Sequence, residues 1–286
     1  SGRGDRVGGE AENGAASKAL GFLRGVAIPA AIVAAWQLLS AKGYVNPQIL
    51  PAPSAVLARW YQYLAPMEPY DPSKTSAIAW IFSGELIHDA CSSLYRVVVG
   101  FLIGAGLALP LGLAMGANER VYKFFDPLLQ VLRPIPPIAY IPLAILWFGL
   151  GNPPAIFLIT LGAFFPVLMN TISGVRHVDG IYIRAARNLG ADRMTLFLRV
   201  ILPAATPYIL TGARIGVGTA FIVVIVAEMT AVNRGLGYRI LEAREYFWSD
   251  KIIAGMASIG LLGLLIDLGM SRLNGWLLRW HRGLEG

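Results

Sequence analysis

Arg184–Pro203 reads RAARNLGADRMTLFLRVILP, a basic, water-facing loop set between apolar runs long enough to cross a bilayer. Its local chemistry is that of two short helices. Asp179 is placed to cap the first, on which Ile181, Ala185, Ala186 and Leu189 share one face at spacings of four, five and eight. Gly190 supplies the stop, and Asp192 caps a second helix that is expected to run to a breaker at Pro203. Two helices hinged at a glycine, with paired alanines on the first, make a knob small enough to seat in a partner's groove. A charged connector lying on lipid headgroups shares this local chemistry.

Outward from this loop, the composition is that of a membrane protein. Of 286 residues, 56% are hydrophobic and only 14% charged, with a mean hydropathy of +0.58, which excludes a water-soluble enzyme. A net charge of +7 would point to nucleic acid in a soluble chain. Here the basic residues sit in loops beside apolar spans, where they set orientation, and no nucleic-acid partner is expected. The single cysteine, Cys91, excludes an internal disulfide framework and is read as a structural thiol. Residues 1–19 are rich in Gly, Ala and charge and are expected to be a disordered cytoplasmic tail, not a signal peptide. Residues 20–286 then form one transmembrane domain.

A helical crossing takes about 20 apolar residues. Six runs qualify: 20–40, 93–116, 134–150, 153–174, 207–231 and 251–271. Gly151, Asn152 and Pro153 make a tight turn between the third and fourth. The loop 117–133 carries Arg120, Lys123 and Arg133, and the loop 175–203 carries five arginines, so both are expected in the cytoplasm. Residues 41–92 are more acidic and belong outside. With Arg272, Arg279 and Arg282 also inside, the expectation is an all-α protein of six crossings with both termini cytoplasmic. Ser54–Leu64 and Gly235–Trp248 read as amphipathic interfacial helices, the first with Ser54 as its cap. They suit either an outer mouth that meets a soluble partner or simple anchoring.

The third run opens RPIPPIAYIP, with Pro134, Pro136, Pro137 and Pro142 within nine positions, so a straight helix is not expected. Broken backbone at membrane depth is tolerated where protein or water satisfies it, which makes this segment a wall of a pathway or a structural elbow at the interface. Four ionisable residues lie in or near the runs: Arg96, Arg214, Glu228 and Asp267. Each costs ~2.5 kcal/mol or more at the bilayer centre unless partnered or wetted. Arg214 and Glu228 are 14 positions apart on one run, about 40° apart around the helix and ~21 Å along it. Counting depth pairs Arg96 with Glu228 and Arg214 with Asp267. Structural pairing and attraction of an anionic substrate are the two roles open to these arginines.

The chain has no G-x-x-x-x-G-K-[ST] phosphate loop, and the run Gly212–Gly218 reads as close helix packing. His88, His177 and His281 are scattered, so neither a metal site nor a catalytic dyad is expected.

The opening segment resembles the cytoplasmic coupling loop of ABC-importer permeases: Glu-Ala-Ala, three residues, Gly, nine residues, Ile, one residue, Leu-Pro. Ala185, Ala186, Gly190, Leu202 and Pro203 are in register, while Arg184 replaces the glutamate and Val200 the isoleucine. Over about residues 50–275, strings such as SSLYRVVVGF, FDPLLQVLRPIPPIAYIPLAILWFGLG, GVRHVDGIYIRAARNLGA and AEMTAVNRGLG resemble the nitrate, taurine, alkanesulfonate and bicarbonate branch of that family. The resemblance implies the type I permease fold in the bacterial inner membrane and a homodimer of this subunit. It further implies an extracytoplasmic substrate-binding protein and two ABC ATPase subunits that bind ATP and Mg, with no cofactor on this chain. ATPase coupling would fall to residues 176–203, in particular Arg184, Ala185, Ala186, Arg187, Leu189, Gly190, Asp192, Leu202 and Pro203.

Related permeases for pyrimidine precursors or other aromatic compounds are the alternative within this family. A secondary transporter or channel, from another class, would need an internal inverted repeat, which is not apparent, and would leave the docking loop unexplained.

Overall fold

The computed structural model describes residues 27–71, 73 and 76–278. The tail expected over 1–19, the start of the first apolar run, Arg279, His281 and Arg282 lie outside the described residues. Among the described residues all regular structure is helical, apart from one isolated bridge between Pro66 and Gly84. In chain order the first helices are α1 (Ala27–Ala41), α2 (Pro53–Leu64) and the short α3 (Ala77–Ile81). A long α4 (Glu85–Ala117) follows, then α5 (Glu119–Leu132), a 3-10 turn over Pro137–Tyr140, and α6 (Ile141–Phe148). The chain continues through α7 (Asn152–Arg176), α8 (Gly180–Asn188), α9 (Arg193–Leu196), a π turn over Phe197–Ile201, α10 (Leu202–Ala231), α11 (Leu236–Glu245) and α12 (Ser249–Leu277).

Four stretches are long and apolar enough to cross a membrane: α4, α7, the continuous Arg193–Ala231, and α12. A fifth arises if α5 and Pro137–Phe148 count as one span bent by 79°. The expected run 134–150 is therefore not a crossing of its own. Pro136, Pro137 and Pro142 each lack an amide proton, so the chain turns at Pro134–Pro136 and restarts twice, with Pro137 and Pro142 in the first turn of each new helix. The residues expected as a cytoplasmic loop at 117–133 instead form α5, capped by Asn118 accepting from Arg120 N–H at 2.9 Å.

Further boundaries differ from the sequence reading. The second run begins at Glu85 and not 93, so Glu85 and Asp89 are helical residues of α4. Pro203 does not end a helix. Leu202 N–H reaches back to Phe197 C=O, five residues away, and this π widening gives the Pro203 ring room that a regular α-turn would deny it. In α2, Pro53 occupies the first turn and Ser54 is not the cap: its N–H and Oγ bond the Gln37 side chain at 3.1 and 3.2 Å, tying α2 to α1. The turn before α7 is made by Gly149 (φ 75°) and Gly151 (φ 122°), and Asn152 and Pro153 belong to the helix that follows.

α7 is the central helix, sandwiched between α4 and α10. Apolar side chains gain little by leaving lipid for protein, so close approach of backbones drives such packing. Gly100, Gly104, Ala108, Gly112 and Gly116 recur every four residues on the face of α4 that meets α7. A methyl on Gly100 would stand 2.6 Å from Ile159 Cγ2, and one on Gly112 2.8 Å from Thr171 Cβ. Against α10 the same holds at Gly174, facing Tyr208, and at Gly212, facing Asn170. Gly216 packs on Val167, whereas Gly218 meets nothing within 4 Å, so two of the three glycines in the Gly212–Gly218 run serve packing.

Candidate functional site

α8 stands clear of the bundle. Its contacts are chiefly with α9 and the π turn. Asp179 Oδ1 accepts from Ile181 N–H at 2.8 Å, Gly190 turns the chain at φ +82°, and Asp192 Oδ1 accepts from Thr195 N–H at 3.1 Å. The bonds from Thr195 hold the Asp192 carboxyl below its ordinary value. The cap is thus fully in place above the ordinary aspartate range and is lost only as pH falls through the lowered value. Arg184, Ala185, Arg187 and Leu189 are exposed and Ala186 half-buried. Leu189 is 89% exposed and Ile181 59%, a concentration of apolar surface on a short charged helix. Leu202 and Pro203 lie apart from this knob, in the first turn of α10.

Near the opposite end of α10, a buried polar cluster joins four elements. Arg96 Nη1 donates to Glu228 Oε1 at 2.5 Å and to the Arg234 carbonyl at 2.9 Å, and its Nε donates to Asn152 Oδ1 at 2.8 Å. Glu228 is fully buried and also accepts from Ser93 Oγ at 2.9 Å and Gly237 N–H at 3.0 Å. Gly235, at φ +124°, folds over the carboxylate so closely that a methyl there would lie 2.5 Å from its oxygens.

One turn up α4, Asp89 accepts from Tyr63 OH at 2.7 Å, Gly235 N–H at 3.1 Å and Arg239 Nε at 2.7 Å. Burial, and then the neighbouring Asp89 carboxylate, push the Tyr63 phenol up, so it stays a donor. The sequence reading assigned Asp89, Ser93, Asn152, Tyr63 and Arg239 no part in a polar cluster; Asn152 was expected only in the turn before α7. Asp89, Ser93 and Arg96 follow one another at spacings of four and three, a one-face polar stripe that becomes visible once the helix is extended back to Glu85.

Arg214 and Asp267 also meet: Nε and Nη2 reach the two carboxylate oxygens at 2.9 and 2.8 Å, a bidentate pair between α10 and α12. About half of each side chain remains exposed. This pair and the Arg96 cluster are separate, and neither touches the cavity at the proline elbow.

That cavity, of about 490 Å³, lies between the elbow, α7 and α10, with Arg133, Pro136, Pro137, Phe165, Asn170 and Thr219 in its wall. Pro142 is not among its lining residues. Among the described residues no group of three His, Cys, Asp or Glu side chains is arranged for a metal.

A bundle of long apolar helices, with the short α8 standing outside it, has the build of a membrane-embedded subunit. The family model for the binding-protein-dependent transport system inner membrane component matches residues 106–283, and the chain belongs to that family. It is 38% identical over 94% of its length to SsuC of Bacillus subtilis (strain 168), named as an aliphatic sulfonates transport permease, and covers 91% of that protein. It is 35% identical over 88% of its length to the taurine transport system permease protein TauC of Escherichia coli (strain K12), covering 87% of it. Among solved structures, an inward-facing conformation of the MetNI methionine ABC transporter shares the fold, with a TM-score of 0.59 at 20% identity. The match covers 70% of this chain and 98% of that one. The chain is therefore an ABC-importer permease subunit of the inner membrane, and ATP hydrolysis belongs to a separate subunit.

Proposed function

We propose that two copies of this chain form the gated path of an importer for a small organic anion of the sulfonate class. Two ATPase subunits that bind ATP and Mg dock on α8, and an extracytoplasmic binding protein delivers the solute on the opposite side. Six crossings with both termini in the cytoplasm complete the topology, α8 facing the cytoplasm. The observation that carries this reading is α8 itself, a capped helix with bare apolar side chains, hinged at Gly190 to the arm that continues into α10. A partner that moves α8 pulls on a spanning helix through this arm, and α10 packs along α7 for much of its length. The likeness to permeases named for sulfonates and taurine supports the solute class.

The test is purification of the chain in mild detergent from its native host, with identification of co-purifying proteins and an ATP hydrolysis assay. Recovery of an ATPase at one copy per permease is expected. Ala186→Glu, which puts a charge where a small half-buried side chain stands, is expected to abolish ATPase association and uptake while membrane insertion persists. Uptake at wild-type rates by the Ala186→Glu protein, with normal assembly, would overturn the docking assignment.

A further inference from the structure

The importer reading leaves open where along the path the solute's charge is held, and the elbow cavity has the chemistry to hold it. Asn170 and Thr219 in its wall already spend donors on the protein: Asn170 Nδ2 on the Pro166 carbonyl at 2.8 Å and Thr219 Oγ on the Gly162 carbonyl at 2.7 Å. The Arg133 guanidinium, by contrast, has no hydrogen-bond or ion-pair partner among the described residues, whereas Arg96, Arg214 and Arg239 are committed to carboxylates. It also edges a neighbouring cavity of about 370 Å³, where Asp126 accepts from Gln130 Nε2 at 2.6 Å. The rest of the elbow cavity is apolar, with Ile138, Phe165 and Ile222 among its walls, and no carboxylate lines it.

The geometry points to this cavity as the seat of the transported anion, with Arg133 forking the head group and the apolar walls of the elbow, α7 and α10 taking its tail. Arginine presents parallel N–H donors that match two oxygens of a sulfonate or carboxylate. A bare nitrate or bicarbonate would leave most of about 490 Å³ as water against apolar walls. A zwitterion such as taurine would bring an ammonium group into a cavity that has no carboxylate to receive it. The solute class is thus narrowed to a monoanion with an apolar tail. This inference rests on the importer reading and refines it.

The experiment titrates hexane-1-sulfonate, calorimetrically, into the full chain purified in a non-ionic maltoside detergent together with whatever ATPase accompanies it. Arg133→Gln is expected to weaken binding at least tenfold, and Arg133→Lys to recover part of the loss. Taurine and bicarbonate are expected not to displace the probe. Should Arg133→Gln fail to fold, Asn170→Asp provides a second reading, since a carboxylate in the wall should weaken hexane-1-sulfonate at least tenfold and admit taurine. Wild-type affinity in either variant overturns the assignment, as does equal displacement by taurine. Displacement of the probe by phosphatidylglycerol, with no discrimination between the two, would mark a lipid seat and equally overturn it. Loss of Arg133 dependence while the ATPase still co-purifies sinks this site alone, whereas absence of the ATPase sinks the importer reading.

Discussion

At the scale of single residues, Glu228 and Arg96 are the charges with most at stake, because neither keeps contact with solvent: their side chains are 0% and 5% exposed. A buried pair is strongly destabilised when one member is removed, since the other is left charged and unpaired. Glu228→Ala is expected to cost about 3–5 kcal/mol, read as a lowered midpoint of thermal unfolding in detergent. Glu228→Gln should cost less, as the amide oxygen can still accept from Ser93 or Gly237. The partners Arg96 and Glu228 were readable from the sequence because charges at membrane depth are few and depth counting leaves little choice. The other contacts of the cluster were not readable. The Arg234 carbonyl and the Gly237 N–H enter only because the 232–237 turn folds back over α10, and nothing in their spacing along the chain announces it.

At the scale of elements, α4 and α7 are held by the absence of side chains. Gly112→Val would drive its first carbon to 2.8 Å from Thr171 and push two spanning helices apart. It is expected to destabilise the fold by about 1–3 kcal/mol or more, seen as aggregation during detergent extraction. Gly106→Ala, six residues earlier on the same helix, meets nothing within 4 Å and is expected to be neutral or to stabilise by up to about 1 kcal/mol. The contrast separates packing from helix propensity. Helix positions followed from runs of apolar residues, yet Pro203 was misread as a stop. A proline's effect depends on whether the preceding turn can widen, and the π turn at Phe197–Ile201 does so. α5 was misread as a loop because its charges, Glu119, Arg120, Lys123 and Asp126, masked the apolar face that packs Leu129 into the core.

At the scale of the whole molecule, orientation decides which end of the bundle meets ATP. Leu189→Cys in a Cys91→Ser background puts one thiol at the well-exposed C-terminal cap of α8. An impermeant maleimide is expected to label it in inverted vesicles and not in intact cells, and a bound ATPase is expected to shield it. Labelling from outside would reverse the proposed topology. The sequence by itself determined the class of molecule, its helical make-up, the capped knob hinged at Gly190 and the residues that must find opposite charges. These follow from composition, from the span a bilayer demands and from local capping, all of which act over neighbouring residues. Only the tertiary structure decided that, among the described residues, Arg133 stands unpaired at a cavity while Arg96, Arg214 and Arg239 are committed. Which donor is left over depends on how distant helices and turns meet, and that pairing is settled by packing geometry rather than by order along the chain.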